Sequence, residues 1–87
     1  MTALETEIRA RLAALDPDRI ELEDESARHA GHPGAQGGRH YRLTIVSAQF
    51  ADKSTLARHR LIYAALGTLM NREIHALAIR ACAPDEL

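Results

Sequence analysis

Aromatic residues are nearly missing from this sequence, which has one Phe, two Tyr and no Trp. A core must therefore rest on Leu, Ile, Val and Ala. Cysteine is represented once, by Cys82, so no disulfide can form within the chain. That suits a reducing compartment. No apolar run approaches the roughly 18 residues of a membrane-spanning helix. The first residues, Met1-Thr2-Ala3-Leu4-Glu5, lack the basic and apolar regions of a secretory signal. A cytoplasmic protein without membrane contact is the expectation. Surplus positive charge is also lacking, with 11 Lys and Arg against 12 Asp and Glu. Tight non-specific binding of nucleic acid needs an excess of cations to displace counterions. DNA contact is thus expected to be weak and salt-labile. No P-loop, dinucleotide fingerprint or Ser-His-Asp order appears. No catalytic residue is assigned, and no enzyme is expected.

What is present is one domain's worth of chain, residues 1–87, with five histidines. Imidazoles in that number point to pH response or metal chemistry. Leu4, Ile8, Leu12 and Leu15 form one stripe and predict a helix over 2–15, with Thr2 and Glu5 as a capping box. Asp16-Pro17 stops it. Residues 19–24 read as a short strand. Residues 26–39 hold Gly31, Pro33, Gly34, Gly37 and Gly38 and read as a loop. Residues 40–47 alternate, with Tyr41, Leu43 and Ile45 on one face and His40, Arg42 and Thr44 on the other. Ser54 caps a second helix over 55–70, whose arc takes in Leu56, His59, Ile62, Tyr63, Leu66, Leu69 and Met70. Residues 71–73 connect it to a third strand, 75–81, with Leu77 and Ile79 inward. A right-handed crossover makes the last two strands parallel. The fold class is α+β: a two-layer αββαβ domain, a three-stranded mixed sheet with helices on one face.

Read from spacing alone, the histidines divide. His75 shares the parity of Leu77 and Ile79 and reads as a half-buried strand residue. His29 and His32 stand three apart in the loop. Two imidazoles there could hold zinc, but a structural zinc site takes four ligands. His59 lies at the centre of the second helix's arc and reads as a core group. Arg58 and Arg60 flank that arc and should reach solvent, as partner or phosphate contacts together with Lys53. Leu61 falls nearly opposite the arc, as an exposed partner contact. Cys82, near the C-terminus, reads as an inert residue rather than a further thiolate, since nothing cationic in sequence activates it. Gly31-His32-Pro33-Gly34 spells GxxG, but it lies between two strands. In nucleic-acid-binding modules that element joins two helices.

The sequence resembles the BolA family, of the histidine-loop type. The likeness runs over about residues 8–86. It rests on Asp24-Glu25-Ser26 with His29, His40-Tyr41, Ile45-Val46-Ser47, Phe50 and Ser54, and Arg58-His59-Arg60-Leu61-Ile62-Tyr63. It continues through Ile74-His75-Ala76-Leu77-Ala78-Ile79 and Ala83-Pro84-Asp85-Glu86. The family's Phe-x-Gly-x-Ser turn is departed from at Asp52. The resemblance implies a KH-like fold of the second type. It also implies an adaptor in iron–sulfur cluster assembly and trafficking that shares a [2Fe–2S] cluster with a monothiol glutaredoxin and glutathione. On that reading His75 and His29 are the metal ligands, with His32 as substitute for His29. The isolated protein would be a monomer without cofactor, forming a heterodimer with its partner. Imidazole in place of thiolate raises a cluster's potential. Bacterial members also suggest an alternative, a DNA-binding transcriptional regulator of the stress response using Arg58, Arg60 and Lys53.

Overall fold

The computed structural model describes residues 2–25 and 39–87. Helix α1 covers Ala3–Leu12 and strand β1 Arg19–Asp24. Strand β2 covers Arg39–Val46, helix α2 Thr55–Leu66 and strand β3 Ile74–Cys82. The sheet order is β1-β2-β3, with β1 antiparallel and β3 parallel to the central β2. The expected αββαβ order and mixed sheet are both present. Among the described residues no helix is long and apolar enough to cross a membrane.

Each element follows from local chemistry. The Thr2 hydroxyl accepts from the Glu5 N–H at 3.1 Å and donates to the Glu5 carboxylate at 3.2 Å, which starts α1. The helix tightens into a 3-10 turn at Ala13–Leu15, and Asp16 ends it in the left-handed region at φ 49°. Ser54 caps α2 by accepting from the Ala57 N–H at 3.1 Å. Between these helices, Asp52 takes φ 62°. The turn thus keeps the positive φ that a glycine would supply, using a residue type that tolerates it.

Ile8 and Leu12 of α1, with Leu15 beyond it, meet Ile62 and Leu66 of α2 over Tyr41, Leu43 and Ile45 of β2. Both helices therefore cover one face. Phe50, Leu69 and Ile74 complete the core. Ser47 is buried among them, its hydroxyl donating to the Leu15 carbonyl at 2.7 Å and accepting from the Gln49 N–H at 3.1 Å.

Helix α2 differs from its sequence expectation in two respects. It stops at Leu66, and residues 67–71 form a 3-10 segment. Gly67 at φ 58° forces that stop, so it breaks the helix rather than merely weakening it. Arg11 donates to the Leu66 carbonyl at 2.9 Å, and a Cβ on Gly67 would lie only 3.2 Å from that guanidinium. The helix is also rotated from the expected arc. Its buried line is Ile62 and Leu66, flanked by Leu61 and Ala65. Leu56 is 60% and Tyr63 42% exposed. Leu61, expected outside, packs against the core. His59 is only partly buried, its ring edge-on to Tyr63 at 6.4 Å. Apolar residues flank Ile62 and Leu66 on both sides, so periodicity alone could not choose which flank faces the sheet.

Candidate functional site

The site begins with an irregularity in pairing. Along β2 and β3, Arg39 pairs with Ile74, but His40 pairs with Ala76. His75 is the extra residue, a β-bulge. Bulges re-aim side chains by breaking the alternation of faces. From Leu77 onward β3 sends odd-numbered residues toward the helices. The bulge reverses this, so Ile74 enters the core at 1% exposure and His75 is exposed. The expected inward parity of His75 is therefore corrected by one inserted residue.

On the uncovered face of the sheet His75 meets His40. Their ring centroids lie 5.1 Å apart with planes tilted by 49°. His40 was missed as a site residue. The signal for it was its position opposite Tyr41 on the polar face of an alternating strand. The end of the sheet that carries the two rings is anchored by its backbone. The Glu25 N–H donates to the His40 carbonyl at 2.7 Å, and the Arg39 N–H to the Glu73 carbonyl at 3.1 Å. Ion pairs Arg39–Asp24 at 3.0 Å and Arg42–Glu25 at 3.3 Å surround it. Tyr41 lies beneath, and burial, aided by the Asp24 and Glu5 carboxylates, pushes its hydroxyl above the ordinary 10.0.

His29 and His32 lie outside the described residues. Among the described residues no group of three or more His, Cys, Asp or Glu could hold a metal ion. The His40–His75 pair thus offers at most two nitrogen donors, and further ligands must come from elsewhere. Cys82 does not join the pair. It is partly buried at the opposite end of β3, about 20 Å along the strand from His75.

The second expected surface lies at that far end, and it is differently used. Arg58 does not reach solvent freely, since its side chain is 12% exposed. It makes two 2.6 Å bonds to the Glu86 carboxylate and donates to the carbonyls of Ala81 at 3.0 Å and Lys53 at 2.9 Å. Glu86 also accepts from the Ala83 N–H at 2.9 Å. The Arg58 hydrogen bonds, with that backbone donor, hold the Glu86 carboxyl down at about 2. The same carboxylate, through its hydrogen bonds, raises the Arg58 guanidinium above its ordinary value. Arg58 is consumed in tying α2 to the end of β3. Arg60 and Lys53 remain exposed.

Known proteins resemble both the sequence and the fold. The family model for the BolA-like protein matches residues 12–86. Human BolA-like protein 1 is 44% identical over 84 residues, 95% of this chain and 60% of that protein. The chain therefore spans about three fifths of the length of that relative. SufE-like protein 1 of Arabidopsis thaliana, chloroplastic/mitochondrial, is 44% identical over 79 residues, covering 84% of this chain and 21% of that protein. The solved BolA domain of SufE1 from Arabidopsis thaliana superposes with a TM-score of 0.86 at 42% identity, covering 100% of this chain and 99% of that one.

Proposed function

Because the chain belongs to the BolA-like family, we propose that it is an adaptor in iron–sulfur cluster assembly and trafficking, sharing a [2Fe–2S] cluster with a monothiol glutaredoxin. The observation that carries this reading is the bulge that lifts His75 out of the core and onto the uncovered face beside His40. A residue in a regular strand at that point would face the helices with Leu77. The SufE-like name of one relative points toward iron–sulfur chemistry as well.

In this reading the partner and glutathione supply thiolates, and this chain supplies nitrogen. His75 is the fixed ligand, because the bulge is held between the core residue Ile74 and the β2 ladder. His40 limits where the His75 ring can point. His29, with His32 as substitute, is the second candidate ligand. A neutral imidazole replaces an anionic thiolate, so the cluster carries less negative charge and a higher potential. An imidazole must lose its proton to bind, so the shared complex weakens on acidification. The protein itself acts by holding a ligand in place and performs no covalent step.

The test is to mix the protein with cluster-bearing glutaredoxin and glutathione and record visible circular dichroism. The expected result is a spectrum unlike that of the glutaredoxin alone, lost in His75→Ala and kept in His59→Ala. His40→Phe should keep more of the change than His40→Ala. A wild-type mixture whose spectrum equals that of the glutaredoxin alone overturns the reading.

A further inference from the structure

The sheet has two outer edges built in opposite ways. β1 is six residues long, and four of them, Arg19, Glu21, Glu23 and Asp24, are charged. Shortness and charge both discourage pairing with another chain. β3 is nine residues long, and seven of them are apolar: Ile74, Ala76, Leu77, Ala78, Ile79, Ala81 and Cys82. Arg80 and His75 are the exceptions, and the strand has no proline. Among the described residues no strand pairs with its outer side.

The hydrogen bonds show which groups face outward. The Cys82 carbonyl turns to β2 and accepts from the Ser47 N–H at 3.0 Å. The Ala81 carbonyl turns the other way and is taken by Arg58. Alternation along the strand places the main-chain groups of Leu77 and Ile79 on the same outer side as Ala81. Their side chains are only partly buried against the core.

We propose that a second copy of this chain pairs with β3 in antiparallel fashion, with the two-fold axis at Ala78. This register sets Leu77 opposite Ile79 of the second copy, and Ile79 opposite its Leu77. Both positions present outward N–H and C=O groups, so each meets its match as a hydrogen-bonded pair. The two half-buried apolar side chains cover each other on the helix side. At the axis Ala78 meets Ala78 on the uncovered face, where Cα atoms approach to about 4.5 Å and a methyl group fits. Arg80 falls opposite Ala76, so no like charges confront one another. Pairing β3 with β1 of another copy would place four charged side chains in the contact. It would also leave an edge free at each end, as in an open filament. The β3 pairing closes. A ladder this short covers much less than the roughly 1,200–2,000 Å² of a stable interface, so the dimer is weak and reversible.

Ala78 is exposed, so Ala78→Lys and Ala78→Glu should each fold, which far-ultraviolet circular dichroism checks. Sedimentation of the wild type at concentrations up to about 1 mM should show mass rising from monomer toward dimer. Either variant alone sets like charges against each other at the axis and should weaken association roughly tenfold or more. An equimolar mixture of the two should recover it. A wild type that stays monomeric throughout overturns the proposal, even if a partner's strand proves to occupy this edge. Self-association that neither variant weakens overturns it as well.

Discussion

The two ends of β3 are finished by opposite means. At its start the pairing register slips by one residue and His75 is turned out, next to another imidazole. At its close Arg58 grips the Ala81 carbonyl and Glu86, and buried Ser47 bonds to both Leu15 and Cys82. One end leaves a side chain available; the other commits Arg58, Glu86 and Ser47 to internal contacts. A strand can present a side chain at one end because the other end fixes it in the fold. The same division explains why two surfaces that look alike in sequence, the histidines and the Arg58 helix, differ in availability.

Four substitutions test this division. His75→Ala should have the largest effect, abolishing the mixed-cluster circular dichroism while changing stability by less than about 0.5 kcal/mol, as for other exposed positions. A large loss of stability by urea titration would show that the bulge holds the fold rather than a ligand. Ser47→Ala should cost about 1–3 kcal/mol by the same titration, because the Leu15 carbonyl would lose its buried donor. Cluster sharing should survive it.

Glu86→Gln should cost less and should reveal itself through pH. The folded carboxyl sits at about 2, below its ordinary 4.5. Its contribution is therefore present above that ordinary value and is lost as pH falls toward 2. Melting curves should show the variant weaker at neutral pH, with the gap to wild type closing through that window. A gap that stays constant down to pH 2 would remove Glu86 from the clamp. His59→Ala should be the mildest, within about 0.5 kcal/mol, because its ring leans on a Tyr63 that is itself 42% exposed. A loss several times larger by calorimetry would restore the core role its spacing suggested.

The elements themselves were legible in the sequence. Alternation marked β2, and the Thr2 and Ser54 caps marked where both helices begin. Periodicity could not locate the bulge, because Ile74-His75-Ala76 carries no glycine or proline and the slip is defined only against β2. It also could not rotate α2 correctly, since Leu56 and Tyr63 weigh as much as Leu61 and Ala65 in any helical arc. Arg58 looked free because its partner Glu86 is 28 residues away. The resemblance put His75 forward, whereas His40 becomes a site residue only once the strands are laid side by side.

The parallel pairing of β2 with β3 also governs how the chain reaches its fold. β2 finds β1 through a local antiparallel pairing, but its other neighbour is separated from it by the whole of α2. Closing so long a connection costs entropy before it returns contacts, which slows folding. Until β3 arrives, one side of the central strand has its backbone groups unpaired, beside Tyr41, Leu43 and Ile45. Those three residues make the nascent or refolding chain most prone to aggregate in the interval before Ile74–Cys82 docks.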